Sequence, residues 1–410
     1  MRTTCVIAGG GPAGAVLGLI LARAGVDVTL LEKHADFLRD FRGDTIHPST
    51  LQVLDELGLA AAFHRLPHRK ADTLWLHTDE SRITPIADLR GLHGKYRYIA
   101  FVPQWDFLDL VTSEASAYPN FRLLMNAEVT GLLWEDGTVR GVRYRDHRDP
   151  HGAEHEIHAV LTVGADGRGS DVRRLAGLRP REFGAPMDAV WFRLPRSAGD
   201  PDEWVLRVSR GALMVAINRE TYWQLAYVIP KGDFARLRRR GVGAFRAGVA
   251  RLLPFVEDRL ETLGGFDEVG VLQVALNRLR RWHLPGLLLI GDAAHAMSPV
   301  FGVGINLAVQ DAVAAANIVG PALRHGAAPE ALLARVQRRR APATAITQTA
   351  QRIVQDALIG RALRARSSRL AAVLAGLPPV RLATRRLVGL GVLPEHVRLP
   401  RVRRSQHVDT

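Results

Sequence analysis

Hydrophobic residues pack tightly into Cys5-Val6-Ile7-Ala8 and then stop at Gly9-Gly10-Gly11. A short solid run closed by glycine predicts a strand covered on both faces, as in a parallel sheet. Pro12 to Ala24 stays apolar over the length of a helix, with proline in its first turn and Gly25 at its end. Val26 to Glu32 is a second strand-length run. Strand, helix and strand in this order begin a doubly wound α/β sheet.

The pattern then changes several times. Pro48 to Leu57 predicts an amphipathic helix stopped by Gly58, and Gln104 to Ala117 predicts another. Phe121 to Tyr144 reads as two or three strands turning at Glu135-Asp136-Gly137, a good hairpin signal. Ala159 to Gly164 is again a solid strand. Alternating strands rich in Trp, Tyr and Met follow from Ala189 to Pro230: Trp191-Phe192-Arg193, Trp204-Val205-Leu206, Leu213 to Ile217 and Tyr222 to Ile229. Helices are expected from Asp233 to Leu253, strands at Val269–Leu276 and Gly286–Ile290, and mostly helix from Gly304 onward. The fold class is therefore α/β, with a Rossmann-like dinucleotide-binding domain (1–72, 99–180 and 266–325). Into it is inserted a substrate-binding β-sheet domain (73–98 and 181–265), and a helical C-terminal region (326–410) follows.

Composition narrows the function. The 410 residues are 47% hydrophobic, as in globular proteins, and the apolar helix after Gly14 already carries Arg23. No membrane span or signal core is expected, so the expected location is cytoplasmic. Cys5, the single cysteine, reads as a buried free thiol. Of the net charge of +14, residues 361–410 carry +9, with eleven arginines against Glu395 and Asp409. No aromatic-studded basic stretch accompanies this charge, so no nucleic-acid partner is expected. Residues 359–392 mix apolar and arginine positions at helical spacing, which fits helices packed on the body with arginine facing water. The alternative is membrane-surface contact by this basic region.

Two distant segments carry the chemistry. Gly9, Gly11 and Gly14 form G-x-G-x-x-G between strand and helix, with Pro12 and Ala13 in the first turn. The first glycine permits the turn, the second lets backbone approach a pyrophosphate, and the third lets helix and strand pack closely. Exposed amides at the helix start then face phosphate. Glu32, followed by Lys33, ends the second strand where a carboxylate accepts ribose hydroxyls, which favours FAD or NAD over NADP at this site. The second segment is Leu287-Leu288-Leu289-Ile290-Gly291-Asp292, followed by Pro299, Gly302, Gly304, Ile305 and Asn306. Together they make FAD the leading cofactor.

Gly164-Ala165-Asp166-Gly167-Arg168-Gly169-Ser170 and Gly291-Asp292 resemble the second and third fingerprints of the single-component flavin-dependent aromatic hydroxylases, typified by p-hydroxybenzoate hydroxylase. Arg42-Gly43-Asp44 and Val102-Pro103-Gln104 are similar to that family's flavin-side segments, and the resemblance spans residues 1 to about 320. It implies that Asp292 accepts from a ribityl hydroxyl, Arg42 offsets pyrophosphate charge, Gln104 bonds the ribityl chain, and Asp166 docks the nicotinamide donor. Gly302, Gly304 and Asn306 would aim a helix N-terminus at the flavin's pyrimidine edge, favouring the reduced anion by up to about 2 kcal/mol. Pro299 would shape the pocket beside the ring.

The implied activity is an FAD- and NAD(P)H-dependent monooxygenase. It would insert one oxygen atom from O2 into an aromatic or polyketide-like small molecule through a flavin C4a-hydroperoxide. The flavin carries the hard step, so no nucleophile or metal is needed. Trp191, Trp204, Met214, Tyr222 and Trp223 are the candidate pocket wall, of which about half should be core because strand side chains alternate. His47, close to Arg42, is a further pocket candidate or a structural hydrogen-bonder. His151, His155 and His158 fit a polar hairpin, and His64 and His68 a solvated helix face, so no metal is expected. The alternatives are an FAD-dependent reductase of isoprenoid or polyketide substrates and a flavin-dependent halogenase. Leu225-Ala226-Tyr227-Val228-Ile229-Pro230 lacks both tryptophans of the halogenase W-x-W-x-I-P segment. A monomer or homodimer is expected, and no base for ionising a phenol stands out.

Overall fold

A computed structural model describes residues 1–38, 45–78, 83–202, 204–209, 212–356 and 377–400. Five strands run parallel in the order Leu287–Leu289, Glu154–Gly164, Arg2–Ala8, Val28–Glu32 and Phe121–Met125. The apolar helix Pro12–Arg23 and the helix Gly304–Leu323 share one core with these strands. This explains why Pro12–Arg23 has no polar face: sheet and helix enclose it. Gly18 allows the close approach, since a Cβ there would lie 2.9 Å from the Phe121 ring. Among the described residues, Val300–Leu323 is long and apolar enough to cross a membrane, and 78% of its apolar window is buried inside the protein.

The second sheet has seven strands, in the order Gly270–Leu272, Met187–Pro195, Tyr222–Pro230, Ala212–Asn218, Val205–Ser209, Thr73–Thr78 and Ile83–Asp88. Its pairs are antiparallel except Val205–Ser209 with Thr73–Thr78. A small third sheet joins Thr45–Ile46, Ile99–Phe101 and Arg69–Ala71. It sits where the two larger sheets meet in sequence, and it carries residues of the candidate site.

Several boundaries differ from expectation. The strand expected at Ala159 begins at Glu154. Its first five residues are mostly exposed and polar, so hydrophobicity does not mark them, yet they pair with Gly141–Arg145 of the hairpin. The second strand starts at Val28, because the Val26 amide still donates to Leu21 at the helix end. The helices expected from Asp233 to Leu253 are Phe234–Arg239 and Gly241–Leu252, divided at Gly241 with φ +82°. The strand expected at Val269–Leu276 is only Gly270–Leu272.

Candidate active site

The glycine turn divides its labour unequally. Gly9 has φ +105°, and a Cβ there would lie 2.5 Å from the Ala165 carbonyl oxygen. A Cβ on Gly14 would lie 2.0 Å from the Gly9 carbonyl oxygen. These two glycines serve packing. Gly11 has extended backbone, and among the described residues nothing lies within 4 Å of where its Cβ would be. Open space therefore faces the start of the Pro12–Arg23 helix, whose first amides have no intrahelical acceptor. Ala13 packs beside the other motif, since a Cβ on Gly291 would lie 3.1 Å from its methyl group.

Glu32 is 8% exposed and holds the turn from the next strand. Its Oε2 accepts from the Gly10 amide at 3.1 Å, and its Oε1 faces the His34 amide at 3.1 Å and the His34 imidazole at 2.5 Å. His34 is a neighbour the sequence did not nominate, and Lys33 points outward, exposed. Gln104 is the half-buried first residue of the helix Gln104–Ser116. Arg42 lies outside the described residues.

The second fingerprint and the Gly291-Asp292 turn meet through an ion pair. Arg168 Nε donates to Asp292 Oδ2 at 3.1 Å, with the side chains 34% and 28% exposed. Arg168 Nη1 is buried and has no hydrogen-bond partner among the described residues. Asp166 is committed within its own turn: Oδ1 accepts from the Ser170 hydroxyl at 2.5 Å and Oδ2 from the Val172 amide at 3.0 Å. Burial pushes its carboxyl above the usual range. The geometry thus gives Asp166 the work of a cap on the helix Asp171–Leu175.

The start of the Gly304–Leu323 helix is fixed by a left-handed pair, Phe301 at φ +70° and Gly302 at φ +66°, after half-buried Pro299. A Cβ on Gly302 would lie 2.6 Å from Thr45 Oγ1. Thr45 donates to the Gly302 carbonyl at 2.9 Å. Ile305 is buried in the helix's first turn. Asn306 Oδ1 accepts from Ser49 and Thr50, each at 2.7 Å, which ties this turn to the helix Pro48–Glu56. Asn306 Nδ2 is buried without a partner among the described residues.

His47 is wholly buried, with Nδ1 2.7 Å from the Val388 carbonyl and Nε2 3.1 Å from the Gly302 carbonyl. It touches backbone on both sides, so it is the structural hydrogen-bonder of the two readings. Burial drives its pKa down to about 4, although both carbonyls favour the proton. The unfolded chain takes up this proton below its ordinary value of 6.5, and the folded chain only below about 4. Stability from this group is therefore complete above that ordinary value and is lost as pH falls toward 4, by about 3 kcal/mol in total. Denaturant titrations across this range should show a loss in wild type that is absent from His47→Gln. Parallel curves for the two proteins would sink this account.

A buried charge network behind the Gly291-Asp292 turn was not foreseen. Asp311 accepts from the Gly291 amide at 3.1 Å, faces His295 Nε2 at 2.6 Å and accepts from Arg340 Nε at 3.0 Å. Arg340 also donates to the Leu393 carbonyl at 3.0 Å. No spacing rule links residues 291, 311 and 340. The available hint is charge inside apolar helical stretches.

A cavity of about 560 Å³ opens between the small third sheet and the seven-stranded sheet, with Lys70, Tyr98, Phe101 and Trp204 in its lining. Trp191, Trp204 and Phe301 pack against the same cluster as Phe101 and Ile217. Met214 and Trp223 face the other way, and here the expected pocket wall needs correction. Both are fully buried under the Gly241–Leu252 helix, and Trp223 Nε1 donates to Asp200 at 2.7 Å. Strand alternation explains the split, because Val215 and Ile217 sit on the cavity side while Met214 and Ala216 do not. Tyr222, at the strand end, lies under the Arg193 guanidinium at 5.1 Å.

The open glycine cradle, the orphaned Arg168 and Asn306 nitrogens and the free helix start suit a large anionic cofactor. A model of a family described as FAD binding domain matches residues 2–350. The chain belongs to this family. The flavoenzyme is 33% identical over 347 residues to 6-methylpretetramide 4-monooxygenase of Streptomyces rimosus, covering 84% of this chain and 81% of that one. It is 30% identical to 12-dehydrotetracycline 5-monooxygenase/anhydrotetracycline 6-monooxygenase of Streptomyces rimosus, covering 81% of this chain and 65% of the relative. Among solved structures, OxyS anhydrotetracycline hydroxylase from Streptomyces rimosus superposes with a TM-score of 0.76 at 25% identity, over 96% of this chain and 77% of that one. PqsL from Pseudomonas aeruginosa gives 0.75 at 22% identity, over 89% and 99%, a likeness of fold. The flavoenzyme is an FAD-dependent monooxygenase with a p-hydroxybenzoate hydroxylase-like fold.

Proposed function

We propose that the flavoenzyme takes electrons from NADH or NADPH and inserts one atom of O2 into a phenolic or polyketide-derived polycycle. The observation that carries this reading is the cavity of about 560 Å³ between the small third sheet and the seven-stranded sheet, walled by aromatic side chains and by arginine, lysine and aspartate. Among the described residues its lining offers no serine, cysteine or histidine nucleophile. Relatives at 33% and 30% identity are named for oxygenation of tetracycline-type skeletons, which supports a fused-ring substrate.

When bound, the flavin supplies a reduced isoalloxazine that activates O2. The protein's part is placement and exclusion of water. Gly11 and the first amides of Pro12–Arg23 would receive the pyrophosphate, Glu32 the ribose, and Asp292 and Gln104 the ribityl chain. The amides at Gly304–Asn306 would face the ring's pyrimidine edge and favour a negative charge there. Trp191, Trp204 and Phe301 would keep water from the reacting face. We assign the cofactor role to segments 1–72, 99–180 and 266–325 and the substrate role to 73–98 and 181–265.

Two experiments test this. Anaerobic addition of NADH, then NADPH, should bleach the visible flavin band, and air should restore it. With a fused-ring phenol as substrate, oxygen-18 gas should label the product. Unlabelled product after flavin turnover would make the enzyme a reductase instead.

A further inference from the structure

A second cavity, of about 510 Å³, shares no lining residue with the aromatic one. It lies along the helix Glu330–Val354 and two short strands, Arg181–Glu182 and Asn277–Arg278, that pair with each other. Arg181, Arg278, Arg280 and Arg338 line it, and among the described residues no aspartate or glutamate does. None of these four arginines forms an ion pair among the described residues. Glu182, beside Arg181 in the chain, accepts instead from Asn277 Nδ2 at 2.9 Å, and Glu330, at the start of the helix, pairs with Arg281 at 2.5 Å.

The cations are held as a set. The guanidinium carbons of Arg181, Arg278 and Arg352 stand 5.4, 5.4 and 5.7 Å from the centre of the Phe183 ring. The ring attracts each of them, but the charges still repel one another. Burial, and then the Arg181 charge, hold the Arg278 guanidinium below its ordinary range. A concave wall of one sign draws in an opposite charge. Arginine forks fit phosphate oxygens two at a time.

The groove also has a direction. Gln337 Nε2 donates to the Arg280 carbonyl at 2.8 Å, which sets Arg280 beside Arg338 at one end. Arg181 and Arg278 are partners in the strand pair, and Arg278 Nη1 donates to Gln348 Oε1 at 3.3 Å, which marks the other end. Arg338 to Gln348 is about 15 Å of helix. Gln348 donates to the Ala296 carbonyl at 3.1 Å, and Gln351 to the Ser298 and Val300 carbonyls, each at 2.9 Å. The last two flank Pro299, just before the Gly302 turn. An anchor at Arg338 and a reacting ring near Pro299 suit an extended dinucleotide. Asp166, which the family resemblance implied for this donor, is committed to its own turn.

We propose that this groove binds the phosphates of NADPH, with the 2′-phosphate on Arg280 and Arg338 and the pyrophosphate on Arg181 and Arg278. This rests on the monooxygenase reading and makes NADPH, with its extra dianion, the preferred donor over NADH. No bond forms or breaks here; the arginines position the donor.

The test is calorimetric titration of the oxidised, FAD-loaded protein with adenosine 2′,5′-bisphosphate, the adenosine end of NADPH, so that no electron transfer is read. The bisphosphate should bind at least about tenfold more tightly than 5′-AMP, which lacks the 2′-phosphate. NADP+ should displace it. Arg280→Ala and Arg338→Ala, both at exposed positions, should each remove most of that preference at unchanged FAD content and thermal unfolding. The site is overturned if the bisphosphate does not bind, if 5′-AMP matches it, or if the double variant binds it as wild type does. Inorganic pyrophosphate binding as tightly would reduce the groove to a general anion patch and overturn it too. Coenzyme A carries a 3′-phosphate and a pyrophosphate on the same nucleoside. Tighter binding of coenzyme A than of NADP+ would make the groove a thioester site and end the donor assignment. Bleaching of the flavin by NADPH without binding of the bisphosphate would remove this site and leave the monooxygenase reading standing.

Discussion

Gly11→Val should yield a chain that folds like wild type and carries no FAD. The expectation comes from the contrast among three glycines of one motif. Gly11 has an extended backbone that valine adopts readily, and no atom of the described residues lies within 4 Å of the position its Cβ would take. Apo stability should hold or rise slightly, since a residue other than glycine restricts the unfolded chain. The added side chain instead occupies the space before the first free amides of Pro12–Arg23, where a pyrophosphate must approach backbone. Loss of that approach should weaken FAD binding at least about 100-fold, or roughly 2.7 kcal/mol.

The measurement is a flavin fluorescence titration of the apo-protein, paired with thermal unfolding of the same sample. Gly14→Ala is the control with the opposite signature. Its Cβ would lie 2.0 Å from the Gly9 carbonyl oxygen, so the strand–helix turn itself must move and apo stability should fall. If Gly11→Val bound FAD within about tenfold of wild type, the pyrophosphate would have to lie elsewhere.

The parts of this site that were legible in sequence are those where one residue type is forced locally. A glycine turn, a solid five-residue strand and a helix of apolar residues announce themselves, because each satisfies a backbone constraint within a few positions. The seven-stranded sheet was only half legible. Its strands showed by alternation, but which face met the cavity did not, and Trp223 therefore entered the expected wall although Asp200 and Phe255 hold it on the far side. Asp166 shows a related ambiguity: a turn carboxylate that caps a helix looks the same in sequence as one that touches a ligand. The contact of the Tyr98 hydroxyl with His64 Nε2, at 2.6 Å, was the hardest to see. The two residues stand 34 positions apart on a loop and a helix, and the sequence alone assigned His64 to a solvated face. The pairing of Ile99–Phe101 with Arg69–Ala71 brings the two segments close.

The buried network behind Gly291 gives the largest expected loss of stability. Asp311 and Arg340 are 0% and 1% exposed. Burial pushes the Asp311 carboxyl up, but His295 and Arg340 more than offset this and hold it below the usual range. Arg340→Ala removes one partner and leaves the carboxylate in the core, at an expected cost of about 3–5 kcal/mol. The loss should depend on pH in a stated direction. Without Arg340 the folded-state pKa of Asp311 should rise toward its unfolded value, although His295 still faces the carboxyl at 2.6 Å. Acidification then costs the variant less than it costs wild type, so the deficit relative to wild type should shrink as pH falls. Denaturant curves of both proteins at several pH values measure it directly. A deficit that stays constant with pH would mean that Arg340 contributes through packing and its bond to the Leu393 carbonyl, not through the charges of Asp311 and of Glu395, to which it also donates at 3.4 Å. Because Asp311 also accepts from the Gly291 amide, the same substitution should loosen the Asp292 turn and weaken FAD binding, whereas a pure packing defect at Arg340 would leave that turn, and the affinity, intact.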